Sequence, residues 1–367
     1  MTDIPIEYQK VFYLSICSEA EIERIFNVCN AKDYLLKLRA DTIVDHMRLF
    51  RVYRNKALLK GKNWSLENSF NSYHYIHFKN QLSNDLKKKC NEVTFGNIFS
   101  NDPNGLIFQT EYGILTTISD SLRYFFEFMN LGLLNFGKKV PPNVQLNAIR
   151  IALRVMLQTE SLDFLMDPRG IIPSDIQKKM YHFIPFQMQF IAGHEYSHFL
   201  LGHLKATNTR KTPILKAIFK SQNDYNFLDV YNNSQKDEFD ADVASINLPK
   251  YNIQEKMLIF EAALLYFACI DIYEEVEHSI FPPIGYQSHP TAKDRYFNLL
   301  NNIKVQKDFD YNYWDKKLPE TINFLKKIFI EDVGFNIEAY ETYGSVYLDK
   351  PNTKWRGKKL IDRVDYY

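Results

Sequence analysis

The segment that decides the fold runs from residue 190 to residue 202 and reads Phe190-Ile191-Ala192-Gly193-His194-Glu195-Tyr196-Ser197-His198-Phe199-Leu200-Leu201-Gly202. Apolar residues stand before and after its two histidines and one acid. A helix that is apolar on all sides is typically buried, and a buried imidazole or carboxylate needs a hydrogen-bonding or metal partner. The segment therefore predicts a buried helix with a polar site.

The two histidines of this segment have the spacing of metal ligands. His194 and His198 are four residues apart, and four residues turn an α-helix by about 400°. Both imidazoles therefore project from nearly the same face and reach one ion. Glu195 lies about 100° around the helix from His194, away from the ion but within reach of a water molecule beside it. The pattern HExxH thus predicts two metal ligands and a general base.

A third ligand has to come from elsewhere in the chain, because catalytic zinc takes three protein ligands and keeps a fourth position open. The extension HExxHxxGxxH does not continue here, since residues 201 and 204 are leucine. His203 is five residues after His198, about 140° off its helix face. We interpret His203 as a surface or helix-end histidine.

The third ligand is predicted in a short helix that begins near Ser234 and contains four acids, Asp237, Glu238, Asp240 and Asp242. Glu238 and Asp242 share one face of this helix. We expect Glu238 to bind the metal and Asp242 to accept a hydrogen bond from the far nitrogen of a metal-bound histidine. Asp242 is the main rival as ligand. The acids also fit the start of a helix that binds no metal, where the helix dipole favours negatively charged side chains.

Three motifs in this chain occur in the order found in a known peptidase family. They are HExxH at 194–198, ExxAD at 238–242 and HPxxxxR at 289–295. This order resembles that of the gluzincin zinc metallopeptidases similar to HtpX and the CAAX-prenyl endopeptidases. A looser resemblance is to the Lit-type bacterial peptidases, which are soluble HExxH proteins that cleave an intracellular target.

The resemblance implies a helical catalytic core with one zinc ion bound by His194, His198 and Glu238, and with Glu195 as the base. It also implies that His289 approaches the substrate carbonyl oxygen and that Arg295 orients the acidic ligands. Without the resemblance, His289 also fits a helix cap before a proline.

Those relatives are often embedded in membranes, whereas this chain has no convincing span. Its longest apolar run, near residues 257–272, is too short and contains Glu261. The N-terminus lacks a basic region followed by an apolar stretch, which predicts a cytoplasmic protein. The chain has 45 basic and 44 acidic residues, so no overall field favours nucleic acid. We expect a soluble protein or peptide substrate and neither a nucleic-acid partner nor a membrane span.

The expected fold is α+β, a helix-dominated gluzincin-like catalytic domain with a small sheet and an appended N-terminal helical region. Residues 106–110 and 113–118 have strand composition. We divide the chain into a mostly helical region at 1–105, a metallopeptidase domain at 106–305 and a C-terminal extension at 306–367.

The expected function is zinc-dependent endopeptidase activity on an intracellular protein or peptide, through a metal-activated water. Two other functions stay open. One is a zinc-stabilised protein-binding module without catalysis, in which four protein ligands would close the metal site. The other is a hydrolase of a non-peptide amide or ester, which would differ only in its cleft.

Overall fold

The computed structural model describes residues 6–100, 104–166, 170–204, 209–213, 227–231, 234–282, 290–304, 306, 308–348 and 360–361. His289, and with it the prediction for its role, lies outside these residues. The fold is α+β and helix-dominated, which confirms the predicted class.

Fifteen α-helices are found within the described ranges: α1 (Ile6–Val11), α2 (Glu19–Phe26), α3 (Ala31–Val44), α4 (Met47–Lys60), α5 (Tyr73–Gln81), α6 (Asn84–Cys90), α7 (Asp120–Leu133), α8 (Pro142–Met156), α9 (Ser174–Tyr181), α10 (Ile184–Leu200), α11 (Gln235–Asn247), α12 (Ile253–Ile280), α13 (Ala292–Asn302), α14 (Leu318–Asn336) and α15 (Glu338–Glu341). The strands there are β1 (Val93–Ile98), β2 (Gly105–Thr110), β3 (Gly113–Ser119), β4 (Thr209–Pro213), β5 (Phe227–Tyr231), β6 (Ser345–Val346) and β7 (Leu360–Ile361). None of the described helices is both long and apolar enough to cross a membrane.

The two helices that carry the histidines and the acids begin at recognisable residues. In α10, Pro185 stands in the first turn, where its missing N–H costs no hydrogen bond. In α11, Ser234 and Asp237 form a capping box in which each side chain bonds to the other residue's backbone N–H. The capping box fixes the N-terminal end of α11, and Glu238 follows Asp237 directly in the first turn of this helix.

A small sheet lies beside α10. Its strand order is β1-β3-β2, with β1 parallel and β2 antiparallel to β3. The two predicted strands correspond to β2 and β3, whereas β1 was not predicted. The boundary predicted at residue 105 falls at the first residue of β2. The sheet therefore joins β1, which lies before this boundary, to β2 and β3, which lie at or after it.

The main hydrophobic cluster extends from Ile16 to Leu348 and includes residues of all three predicted segments. The boundaries of those segments stay a prediction. Helix α10 lies inside this cluster, where Phe190 packs against Tyr266 and Phe267 of α12 with ring centroids 5.8 and 5.5 Å away. The HExxH segment therefore lies in the core of the protein, with α12 packed against the turn that precedes it.

Gly193, one residue before His194, allows two helices to approach α10 closely. A Cβ atom at this position would lie 2.7 Å from Cε2 of Phe78 on α5 and 3.2 Å from Cβ of Ser245 on α11. Phe78 is fully buried and stacks on Tyr196, with ring centroids 5.6 Å apart, so its ring has little room to move. Glycine at residue 193 thus sets the distance between α10 and α11.

We expect Gly193→Ala to lower the free energy of unfolding in chemical denaturation. Overpacking a buried site costs about 1–3 kcal/mol, and this exceeds the roughly 0.5–1 kcal/mol that alanine gains over glycine in a helix. Gly334→Ala on α14 is the matched control, because its added Cβ would meet no atom within 4 Å beyond the backbone of its own helix and its chain neighbours, so the substitution should stabilise the fold. Equal changes for both variants would contradict the packing role of Gly193.

Candidate metal centre

The polar side chains of α10 and α11 meet in one buried group. Nε2 of His194 and Nε2 of His198 are 3.0 Å apart. Glu238 contacts both, with Oε2 3.4 Å from Nε2 of His194 and Oε1 3.5 Å from Nε2 of His198. Within the described ranges of the chain, these three residues have ligand atoms that lie close enough together to hold a metal ion, and we call them the ligand group.

The spacing of these atoms fits a tetrahedral zinc ion. Ligand atoms about 2.0–2.1 Å from such an ion are about 3.3 Å apart at the tetrahedral angle. The two nitrogens are 3.0 Å apart, and Oε2 and Oε1 of Glu238 lie 3.4 and 3.5 Å from Nε2 of His194 and Nε2 of His198, respectively, on either side of that value. Two imidazoles and one carboxylate are also ligands that zinc prefers. The group therefore fits zinc with three protein ligands.

The buried charges around the group favour a divalent cation. Glu195, Glu238 and Asp242 are at most 3% exposed, and Arg295 on α13 is 7% exposed. Three carboxylates and one guanidinium leave a net charge of −2 when both histidines are neutral. Buried charge is costly unless it is paired or bound to metal, and a divalent cation brings the sum to zero.

Asp242 contacts Nδ1 of His194, the imidazole nitrogen that faces away from Glu238. Its Oδ1 lies 2.8 Å from Nδ1 of His194. Arg295 donates two hydrogen bonds to the same carboxylate, from Nε at 2.8 Å and from Nη2 at 2.6 Å, and its Nη1 lies 3.4 Å from Oε2 of Glu238. A carboxylate at Nδ1 keeps the proton there and leaves the lone pair of Nε2 for a metal.

The surroundings shift the pKa values of the two histidines in opposite directions. Burial and Arg295 act to lower the pKa of His194, but Asp242 and Glu238 outweigh them and raise this pKa to about 9. Burial, with the neighbouring His194, lowers the pKa of His198 well below its usual range. At neutral pH an ion that binds Nε2 of His194 therefore has to displace one proton.

Glu195 is beside the ligand group but is not part of it. Its Oε1 lies 4.0 Å from Nε2 of His194. The first residue of β2 packs directly on this side chain, since a Cβ atom at Gly105 would lie 2.6 Å from Cγ and 3.0 Å from Oε1 of Glu195. Gly105 was not among the predicted site residues, because nothing in its local sequence shows that β2 lies over α10.

His203 stands just after the end of α10, as one of the two sequence interpretations had it, but its side chain contacts His198, which the helical angle did not predict. Its Nδ1 lies 3.0 Å from Nδ1 of His198, and its Nε2 lies 3.7 Å from Oδ1 of Asp237. The helical angle failed because α10 ends at Leu200. Gly202 then has a φ of 74°, and the backbone N–H groups of Gly202 and His203 donate to the carbonyls of Phe199 and His198. This is a Schellman motif, which brings His203 back over His198.

The remaining predicted site residues differ in their distance from the ligand group. Asp240 is exposed, and Asp237 belongs to the capping box of α11, so neither lies in the group. Asp242 contacts His194 through the nitrogen that faces away from Glu238. The catalytic roles expected for Glu195, His289 and Arg295 stay predictions.

We expect Glu238→Gln to weaken zinc binding more than Asp242→Asn does. Asp242→Asn leaves all three ligands and removes only a partner of His194, a change that typically costs about 10–100-fold in metal affinity. Glu238→Gln removes a charged ligand. Competition with a chromophoric chelator measures both affinities, and thermal melts check that both variants fold. The reverse order would reassign the third ligand to Asp242.

Comparison with known proteins adds no relative: no family model, no curated protein and no solved structure matches the chain. The resemblance to the gluzincin peptidases therefore rests on the three motifs alone. The activity and the residue roles that this resemblance implies are hypotheses.

Proposed function

We propose that this protein is a zinc-dependent endopeptidase that hydrolyses a protein or peptide. The observation that carries the proposal is the position of Glu195, which is buried 4.0 Å from Nε2 of His194 and outside the group of three ligand residues. A site that only binds metal has no need of this carboxylate. A hydrolytic site needs a base beside the ion.

Zinc is the proposed ion because the ligand spacing, the donor types and the charge balance all fit it. When bound, it supplies a Lewis acid that polarises a carbonyl oxygen and lowers the pKa of water. His194, His198 and Glu238 would hold it. Asp242 and Arg295 would fix His194, and Arg295 packs over the ring of Phe267 at 4.7 Å, which holds the guanidinium in place.

In the proposed reaction, Glu195 removes a proton from water as the water oxygen bonds to the carbonyl carbon. Glu195 then passes this proton to the amide nitrogen as the C–N bond breaks, so the carboxylate is regenerated. The backbone at Gly105 limits where the carboxylate can move. By the family resemblance, His289 would donate to the carbonyl oxygen as negative charge develops there.

A zinc-stabilised binding module is the competing function. Structural zinc is usually closed by four protein ligands, whereas catalytic zinc keeps one position for water or substrate. The group found in the described part of the chain offers three protein ligands. This number favours the hydrolytic site.

Replacing Glu195 with Gln should abolish cleavage and preserve zinc content, because the amide keeps the shape of the side chain but cannot act as a base. We would express the wild-type protein and Glu195→Gln in matched bacterial cells and compare new protein N-termini by mass spectrometry. A small set of termini should appear only with the wild-type protein.

Glu127→Gln is the matched control, since Glu127 is a buried glutamate on α7 that pairs with Arg123. This variant should produce the same termini as the wild-type protein. Identical termini in cells that express wild type and Glu195→Gln, with equal zinc content in both proteins, would reject the peptidase and favour the binding module.

A further inference from the structure

The side of His198 that faces away from the ligand group meets a second imidazole. The Nδ1 atoms of His198 and His203 are 3.0 Å apart, and the two ring centroids are 5.2 Å apart with an angle of 67° between the planes. The side chain of His203 is only 11% exposed. The Schellman motif at Gly202 fixes the backbone of His203, so this contact depends on how α10 ends.

The metal-facing nitrogen of His198 determines the direction of the hydrogen bond. Nε2 of His198 faces His194 and Glu238, and a nitrogen that binds metal carries no proton. With a metal bound at Nε2, the proton of His198 would be on Nδ1 and would be donated to Nδ1 of His203. His203 would then carry its own proton on Nε2, which faces Oδ1 of Asp237 at 3.7 Å.

We propose that His203 is a positioning residue for the zinc ligand His198. Its Nδ1 accepts the hydrogen bond that fixes the tautomer and the ring orientation of His198. This inference rests on the zinc site of the proposed function. His203 is not itself a ligand here, because its Nδ1 faces the nitrogen of His198 that points away from Glu238.

The proposal also explains why the two ligands have different partners. His194 has the carboxylate of Asp242, whose charge is balanced by Arg295. With that pair balanced, the charges of Glu195 and Glu238 match one divalent cation. A buried carboxylate in direct contact with His198 would leave one negative charge unbalanced, whereas the neutral imidazole of His203 keeps the carboxylate of the partly exposed Asp237 one ring away from His198.

The test measures zinc affinity rather than activity. His203→Leu keeps much of the side-chain volume but offers no acceptor, so we expect zinc affinity to fall about 10–100-fold, as for other partners of metal ligands. His203→Asn should keep an affinity close to wild type, because its Oδ1 can take the place of Nδ1 as acceptor. The full-length variants would be titrated against a chromophoric chelator.

His182→Leu is the matched control, since His182 is an exposed histidine at the end of α9. It should bind zinc as tightly as the wild-type protein. The visible absorption of the cobalt-substituted proteins gives a second readout, which we expect to change in His203→Leu and to stay unchanged in His203→Asn.

The outcomes separate this inference from the proposed function. If the wild-type protein binds zinc and His203→Leu binds it equally well, the positioning role is overturned and the peptidase proposal stands. If His203→Asn binds zinc as weakly as His203→Leu, the proposed role of Nδ1 of His203 as hydrogen-bond acceptor is overturned. If the wild-type protein binds no zinc, both proposals fail.

Discussion

The carboxylate of Asp242 joins the three helices that form the site. It is fully buried on α11, its Oδ1 lies 2.8 Å from Nδ1 of His194 on α10, and it accepts two hydrogen bonds from Arg295 on α13. A buried carboxylate without these partners would be costly, so the three helices are held together by the requirement to satisfy it. The same contacts orient Nε2 of His194 toward Glu238.

The second constraint is that two glycines allow neighbouring helices and a strand to pack closely against α10. Gly193 lets α5 and α11 come near α10, and Gly105 lets β2 lie against Glu195. In both places a side chain would push apart the elements whose separation the site needs. The small sheet would therefore have a role in the proposed chemistry, because the first residue of β2 limits the positions open to Glu195, the proposed general base.

The sequence predicts those parts of the site that depend on spacing within one helix. The separation of His194 and His198, and the shared face of Glu238 and Asp242, are consequences of helical geometry. The strands β2 and β3 were predicted from the strand composition of their residues. Strand β1 was missed because it pairs in parallel with β3, past the intervening strand β2, and such a pair has no hairpin turn to indicate it.

His203 shows a different limit of prediction from sequence. The angle of 100° per residue was carried past the end of α10, where it no longer applies. Gly202 was the available indication, since glycine after a helix predicts a reversal that returns the next residue to the last turn. The contact of Gly105 with Glu195 has no comparable local indication, because it depends on how the sheet packs against the helix.

The central claim is that one zinc ion lies among His194, His198 and Glu238, with an open position beside Glu195. Anomalous diffraction from crystals of the zinc-loaded protein, recorded on both sides of the zinc absorption edge, tests it most directly. The account predicts one peak, about 2.0–2.2 Å from both Nε2 atoms and from a Glu238 oxygen, without a fourth protein ligand. A peak at another place, or a fourth protein ligand closing the site, would contradict it.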